Sequence, residues 1–457
     1  MMRKFLSVLL CVSVLVFAFP TAAAAYTAET ADAPAKTAEP SGKVLDIESS
    51  CSAELPEYTC SYIDVKERTL TISKYKGSSK TVTIPSTLKL TKSDFGNDYK
   101  TGCEGTYKVT QIYGFGNSNI TEVRIPSGSP LKIIGRNAFA NCKNLQKVTA
   151  NTNSLKEIGG GAFSSCPKLT AVQLPDSITV IEDFAFEKCT SLKTFKVPAN
   201  VKELSNTFYR CSSLTSVTLN NKLESIIGAF KYLGIKSITL PNSLKEIGAD
   251  SFNQCSNLTS ITIPKNVTKI GRHAFQNCKN LKTVTFAESS ALTYIDYGGF
   301  GGCAKLETVT LSNNPNGTTT LDWYSFSDCT ALKKIVLPDS VREIHKDTFN
   351  ECNKSKLTIY AYANSTAYHF AKNNGIKLVE MKATKIFGDL DGDNKVTSAD
   401  SLKVLRYSVN LETPNATQKK LSDVDGDGKI TSADALAILR YSVNIKESGY
   451  STGNKTS

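Results

Sequence analysis

Hydrophobic residues recur through the middle of the chain with a step of 22 to 26 residues. Most units have a Phe, a Cys three residues later, a Leu six residues later, and apolar residues nine and eleven residues later. In one unit these are Phe252, Cys255, Leu258, Ile261 and Ile263. The units align on one aromatic position, occupied by Phe139, Phe163, Phe186, Phe208, Phe230, Phe252, Phe275, Phe300, Phe326 and Phe349.

The apolar alternation at the end of each unit predicts a short strand with one buried face. Pro264 ends one such strand, because proline has no N–H for a β-ladder. The following "NVTKIG" is expected to turn the chain, and the next Phe is expected to open a short helix or turn. One unit cannot bury its own apolar face, but stacked units can, so the repeat predicts a solenoid.

This repeat resembles the leucine-rich repeat of BspA-like bacterial surface proteins, with the signature "IGxxAFxxCxxLxxVxIP". The resemblance implies an α/β leucine-rich repeat solenoid at residues 105–356, rich in β-structure with short helices or turns. Alternating stretches such as "TLTISKY" predict a β-rich N-terminal cap at residues 46–104. Residues 357–383 are predicted to form a closing cap of strand, helix and strand.

Nine of the 13 cysteines share one repeat position: Cys142, Cys166, Cys189, Cys211, Cys255, Cys278, Cys303, Cys329 and Cys352. We predict a buried ladder of free thiols, because free Cys packs as a small hydrophobe and Leu233 replaces it in one unit. Disulfides are the alternative, but equivalent side chains would point in parallel and strain the dihedral angle. Cys51, Cys60 and Cys103 lie near the N-terminus. A Cys51–Cys60 disulfide would close a short loop; the alternative is that these residues pack as lone thiols.

Two acidic loops follow the solenoid, "DLDGDNKVTSAD" and "DVDGDGKITSAD". Carboxylates at loop positions 1, 3, 5 and 12 repel one another unless a hard cation lies among them, and a twelve-residue loop with this spacing wraps Ca²⁺ in oxygen ligands. The carbonyl at position 7 and the hydroxyl at position 9, directly or through water, add ligands. The sequence therefore predicts two Ca²⁺ sites, formed by Asp389, Asp391, Asp393, Lys395, Thr397, Asp400 and by Asp423, Asp425, Asp427, Lys429, Thr431, Asp434.

Each loop runs into a helix with an apolar stripe, and we expect the two stripes to bury against each other. The stripes are Leu402, Leu405, Val409 and Leu436, Leu439, Val443. The first loop has little room for a preceding helix, and both loops end in Asp, unlike an ordinary EF-hand. Residues 384–448 thus resemble a type I dockerin, a small all-α calcium-binding domain that plugs secreted proteins into cohesin domains of a cellulosome scaffold.

In that family, loop positions 10 and 11 and part of the following helix bind cohesin. The resemblance implies two identical docking faces, formed by Ser398, Ala399, Leu405, Arg406, Asn410 and by Ser432, Ala433, Leu439, Arg440, Asn444. Such a duplicated surface would let the module dock in either of two orientations. The Ser-Ala and Leu-Arg pairs depart from the Ser-Thr and Lys-Arg common in the family, so the cohesin class stays open.

The N-terminal residues predict an exported protein. Residues 1–25 have the charged start, apolar run and small-residue end of a secretory signal, residues 26–45 read as a flexible linker, and residues 449–457 as a disordered tail. The net charge is +12, but the lysines are scattered, so no nucleic-acid partner is expected. No stretch after the signal is apolar and long enough to span a membrane.

No catalytic constellation is evident, so we predict a non-enzyme. Glycosidases need two carboxylates facing one cleft, and no pair is singled out. His273, His345 and His369 read as surface residues, and Trp323 is the only Trp, although tyrosines could contribute to sugar binding. The sequence favours a secreted, cellulosome-associated protein whose solenoid binds a protein or glycan. The alternatives are an accessory polysaccharide-degrading enzyme or enzyme regulator, and a structural spacer.

Overall fold

The computed structural model describes residues 52–314, 317–381, 388–391 and 395–443. The predicted signal, linker and tail, together with Cys51, Asp393 and Asn444, lie outside the described residues. Within the described part, no helix is both long and apolar enough to cross a membrane.

The N-terminal part is β-rich, as its alternating pattern predicts. Its strands are β1 (Ala53–Glu54), β2 (Tyr58–Asp64), β3 (Thr69–Tyr75), β4 (Thr81–Thr83), β5 (Thr87–Leu90) and β6 (Gly105–Ile112), with a 3₁₀ segment at Lys92–Asp98. Strands β1, β2 and β3 pair antiparallel, whereas β3 pairs parallel with β6. The β3–β6 pair therefore converts an antiparallel sheet into the parallel ladder that continues through the repeats.

The repeats contribute nineteen short strands. They are β7 (Glu122–Ile125), β8 (Ile133–Ile134), β9 (Lys147–Ala150), β10 (Glu157–Ile158), β11 (Ala171–Gln173), β12 (Val180–Ile181), β13 (Thr194–Lys196), β14 (Glu203–Ser205), β15 (Ser216–Thr218), β16 (Ser225–Ile227), β17 (Glu246–Ile247), β18 (Ser260–Ile263), β19 (Lys269–Ile270), β20 (Thr283–Phe286), β21 (Tyr294–Ile295), β22 (Thr308–Thr310), β23 (Thr319–Leu321), β24 (Lys334–Val336) and β25 (Val341–Ile344). All pair in parallel with the equivalent strand of a neighbouring coil.

These strands form two ladders along the solenoid. The first runs β6-β8-β10-β12 and then β14-β16-β17-β19-β21-β23-β25. The second runs β4-β7-β9-β11, then β13-β15, then β18-β20-β22-β24 into the closing cap. The sequence pattern predicted the second ladder, in which Ile261 and Ile263 are buried. The expectation that "NVTKIG" only turns the chain is wrong, because Lys269–Ile270 within it forms a strand of the first ladder.

The third side of each coil is a stack of tight turns around the repeated Phe, without helix in the described coils. The Phe side chains are fully buried and stack on one another, with centroids 5.2 Å apart between Phe230 and Phe252 and 5.0 Å apart between Phe252 and Phe275. Backbone N–H groups of this turn bond to the next coil, as from Phe252 to the carbonyl of Ala274 at 2.7 Å. The solenoid core is therefore a continuous column of rings under hydrogen-bonded turns.

The nine repeat cysteines are buried free thiols, as predicted. Each Sγ donates a hydrogen bond to the carbonyl oxygen of the aligned Phe one coil earlier, as Cys255 does to Phe230 at 3.0 Å and Cys278 to Phe252 at 3.1 Å. Burial raises the pKa of Cys255 to about 12. Cys60 is also a buried free thiol, and Cys103 is buried.

The solenoid closes with β26 (Thr358–Tyr362), α1 (Thr366–Asn373) and β27 (Lys377–Met381), the order that the sequence predicts. Three further helices lie in the C-terminal module: α2 (Ser398–Ser408), α3 (Ala416–Ser422) and α4 (Ser432–Ser442). Helix α3 was not predicted, although the N-cap Asn415 and Gln418 three residues later form a capping box that marks its start. The fold is therefore a β-rich repeat solenoid joined to a small helical module.

Candidate calcium loops and docking face

Each acidic loop brings three carboxylates together. Oxygens of Asp389, Asp391 and Asp400 lie within 4.8 Å of one another in the first loop. The equivalent trio of the second loop is Asp423, Asp425 and Asp434. The last Asp of each loop is fully buried, whereas the middle Asp is exposed. The loops therefore combine a fixed inner carboxylate with an accessible outer one.

The inner carboxylate is held by the loop's own backbone. Asp434 Oδ1 accepts a hydrogen bond from the N–H of Val424 at 2.9 Å, and its Oδ2 accepts from the N–H and hydroxyl of Thr431 at 2.9 and 3.1 Å. Asp400 makes the equivalent contacts with Leu390 at 2.8 Å and Thr397 at 2.8 Å. Both residues are the third residue of a helix whose N-cap is the Thr, so one carboxylate closes the loop and caps the helix.

The start of the second loop is shaped by Asp423. Its Oδ1 accepts from the N–H of Gly426 at 2.8 Å, and its Oδ2 accepts from the N–H of Gly428 at 2.9 Å. Both glycines have positive φ, 78° and 82°, a conformation that glycine adopts without steric cost. Asp427 accepts from the N–H of Lys429 at 2.7 Å. These bonds wrap the loop around its own carboxylates.

The donor set fits a hard divalent cation. Three carboxylates this close repel one another, and Ca²⁺ prefers carboxylate, carbonyl and hydroxyl oxygens. The acidic groups of both loops could therefore hold a metal ion. The six predicted ligands of each loop remain a prediction, with Asp393 outside the described residues.

The helices after the loops pack through the face opposite to the predicted stripes. Val404, Tyr407, Ala435 and Ile438 are buried in one cluster, and the Ser401 hydroxyl donates to the carbonyl of Ala435 at 2.6 Å. Leu390 and Val424 from the loops complete this cluster, with Val396 and Ile430 packed at its edge. The core of the module is therefore small and built largely of residues that differ between the two repeats.

The prediction that the two apolar stripes bury each other is wrong. Leu402, Leu405 and Val409 are 52, 41 and 57% exposed, and their counterparts on α4 are exposed to a similar degree. The physical reason is that the inner Asp at the start of each helix is buried, and the residue four positions later lies on the same helix face. Val404 in α2 and Ile438 in α4 therefore point inward in place of the stripes. The stripes instead face solvent.

The predicted docking residues share this exposed surface. Ser398, Ala399, Leu405, Arg406, Asn410, Ser432, Ala433 and Leu439 are exposed, and Arg440 is half-buried. Arg406 pairs with Glu412 at 2.9 Å. Leu411 and Tyr441 are also exposed on this module. The prediction had placed Leu402, Val409, Leu436 and Val443 in the core, although they are exposed. Their helical periodicity was the available signal, but it was assigned to the wrong face.

Residues 109–228, 227–356 and 312–387 match the model of the family described as "BspA type Leucine rich repeat region (6 copies)". Residues 387–441 match that of the "Dockerin type I domain". Type I dockerins are a calcium-binding domain family and imply a cohesin partner, and both matched domain types are non-catalytic. Together they suggest an extracellular or surface protein.

Solved structures resemble the solenoid. A leucine rich cell surface protein from Faecalibacterium prausnitzii A2-165 is 24% identical, with 73% of this chain and 99% of that chain covered and a TM-score of 0.43. A leucine-rich repeat protein from Bacteroides ovatus ATCC 8483 is 22% identical, with 72% and 99% covered and a TM-score of 0.41. The pneumococcal vaccine antigen PcpA is 19% identical, with 72% and 98% covered and a TM-score of 0.32.

No curated protein matches the chain. The repeat matches together span residues 109–387, more than half of the 457 residues. The chain belongs to the BspA-type leucine-rich repeat family and carries a C-terminal type I dockerin domain.

Proposed function

We propose that this is a secreted binding protein that docks onto a cohesin of a cellulosome scaffold while its solenoid recognises a protein or glycan ligand. The module would bind two Ca²⁺ ions, one in each acidic loop, and these ions would fix the helices that carry the docking surface. The protein would thereby be held outside the cell, at the surface or in a released complex, in the context of polysaccharide breakdown.

The observation that carries this proposal is the exposed apolar surface of α2 and α4. Fourteen large hydrophobic residues are exposed in the described part of the chain, and eight of them lie between residues 402 and 443. Leu405 and Leu439 occupy the same position in the two repeats, 41 and 39% exposed. An apolar surface of this density on a small module indicates a protein partner.

The duplicated sequence supports two equivalent ways of docking. The stretches "TSAD" and "LRYSVN" are identical in both repeats, and they contain the predicted docking residues. A partner that reads one copy therefore meets the same side chains after the module is rotated. Substitution of one copy should leave the other available.

The test is a binding experiment with the full chain and a panel of cohesin domains, in calcium and in chelator. We expect nanomolar to micromolar binding of at least one cohesin in calcium and none in chelator. Leu405→Glu and Leu439→Glu should each leave binding largely intact, whereas the double variant should lose it. Failure of every cohesin, or full binding by the double variant with the helices intact, would contradict the proposal.

A further inference from the structure

Two adjacent coils of the solenoid present an Asp followed by an exposed aromatic residue at the end of a first-ladder strand. The pairs are Asp296–Tyr297 and Asp322–Trp323. Tyr297 is 37% and Trp323 46% exposed. The N–H of Gly298 bonds to the Trp323 carbonyl at 3.0 Å, which places the two aromatic residues on neighbouring coils at equivalent positions.

Both carboxylates are held in place by the aromatic residue's own backbone. Asp296 Oδ1 accepts from the N–H of Tyr297 at 2.7 Å, and Asp322 Oδ1 accepts from the N–H of Trp323 at 2.7 Å. The second oxygen of Asp322 accepts from the Tyr294 hydroxyl at 2.5 Å, which raises the pKa of that phenol. Rings and hydrogen-bond acceptors thus alternate with the period of the coils, about 4.8 Å.

The Trp323 indole is preorganised. His345 from the next coil stacks on it with centroids 3.8 Å apart and planes 17° apart. Although His345 stacks on the indole, 46% of the Trp323 surface stays exposed. The expectation that His345 is a simple surface residue is therefore too coarse, because it is half-buried and positions the indole.

We propose that Tyr294, Asp296, Tyr297, Asp322, Trp323 and His345, the aromatic–carboxylate patch, bind an uncharged linear glycan of equatorially linked pyranoses. Such sugars have flat faces of C–H groups, which pack on aromatic rings, and hydroxyls at their edges, which donate to carboxylates. The patch runs across successive coils, so it suits an extended chain. The inference deepens the proposed function, because it names a site and a ligand class for the solenoid.

The local charges favour an uncharged ligand over a basic peptide or an acidic polymer. Asp296 is 3.4 Å from the ammonium of Lys269, and the guanidinium of Arg272 lies over the Tyr297 ring at 5.1 Å from its centroid. A basic peptide would be repelled by the Lys269 ammonium and the Arg272 guanidinium, which already lie at Asp296 and Tyr297. An anionic polymer would be repelled by the carboxylates of Asp296 and Asp322.

Intrinsic fluorescence provides a direct assay, because Trp323 is the only Trp of the chain. The full chain is titrated with cellohexaose, xylohexaose and mannohexaose, with an oligogalacturonate and an oligolysine peptide as charged comparators. We expect at least one neutral hexasaccharide to shift and enhance Trp emission, and calorimetry on the same sample to give the same affinity. Binding of the oligolysine alone, or of no neutral sugar, would overturn the proposal.

Variants locate the binding. Calorimetry should show about tenfold or greater weakening for Trp323→Ala and Asp322→Asn, partial recovery for Trp323→Phe, and no change for Tyr62→Ala, which removes an exposed Tyr elsewhere. Unaltered sugar binding by Trp323→Ala would overturn the patch. Cohesin binding by these variants is measured in parallel and should stay unchanged. If the protein binds sugar but no cohesin, only the docking proposal is contradicted.

Discussion

Removal of the Asp425 carboxylate should affect the C-terminal module in opposite directions with and without calcium. Asp425 is exposed, and its carboxylate accepts a backbone hydrogen bond from the N–H of Asp427 at 3.1 Å. Its carboxylate lies within 4.8 Å of those of Asp423 and Asp434. In the absence of the ion, the side chain therefore contributes more repulsion than bonding.

The size of the effect follows from these distances. Two unit charges 4.8 Å apart repel by about 1 kcal/mol at the dielectric constant of water and by about 3.5 kcal/mol at an effective value of 20. Because Asp425 is exposed, the smaller figure applies, and Asp425→Ala relieves two such pairs, about 2 kcal/mol. The lost hydrogen bond costs about 1 kcal/mol, so the calcium-free module should gain about 1 kcal/mol in stability.

With calcium the sign should reverse, because the variant loses an oxygen ligand. Ligand binding to the folded state stabilises it by about 2.7 kcal/mol at a hundredfold excess over Kd, and a weakened site forfeits much of this gain. The assay is thermal unfolding followed by circular dichroism at 222 nm, since three of the four described α-helices lie in this module. Calorimetric calcium titration of the same samples gives the change in affinity.

Asp434→Ala is the matched control. Asp434 is buried and accepts hydrogen bonds from the two N–H groups and the hydroxyl described above, so its loss should destabilise the module by about 3 kcal/mol or more under both conditions. The reasoning is refuted if Asp425→Ala lowers the melting temperature in chelator as much as it does in calcium. It is also refuted if calcium affinity is unchanged.

Three further outcomes are expected. Phe252→Ala should lower the free energy of unfolding by about 3–5 kcal/mol in urea titration, because it empties a fully buried place in the ring column, and Phe252→Leu should cost less. Cys255, whose pKa is raised to about 12, should resist alkylation in the native protein at pH 8 and react after denaturation. Its contribution to stability should be complete below the pKa of an unfolded thiol, near 8.5, and should fall as pH rises toward 12, because only the unfolded state loses the proton in this range. Leu405→Glu combined with Leu439→Glu should abolish cohesin capture without loss of helix signal, because both residues are exposed.

The repeat could be predicted because each coil buries the same kind of residue at the same place. A period of about two dozen residues with a fixed Phe cannot be satisfied by one unit alone, so stacking follows from the spacing. The two-residue strands of the first ladder could not be predicted, since a pair such as Lys269–Ile270 is too short to show alternation. Lys269–Ile270 forms a strand because it pairs in parallel with strands of the neighbouring coils, not because of its own sequence pattern.

The cysteine ladder was predicted as apolar packing, which is only part of its role. The Sγ of each thiol also donates to a Phe carbonyl of the previous coil, as between Cys255 and Phe230 at 3.0 Å. The turn's own N–H groups bond to the same carbonyls, as that of Leu233 does to Phe230 at 3.2 Å, so the thiol supplies a second hydrogen bond. This hydrogen bond to a buried carbonyl forms only when the next coil places its Cys beside the Phe. A single unit's sequence cannot reveal it.

The C-terminal module shows why periodicity alone misplaced the core. The two repeats differ at paired core positions, Leu390 against Val424 and Val404 against Ile438, so a larger residue in one copy accompanies a smaller one in the other. Such exchanges between the two repeats roughly preserve the volume of a shared core. Leu402, Leu405 and Val409, which are exposed, are instead identical to their counterparts Leu436, Leu439 and Val443. Packing tolerates compensated change, whereas a surface that one partner binds in two orientations would not. We therefore expect identity between the repeats to mark the proposed docking face better than apolar spacing does.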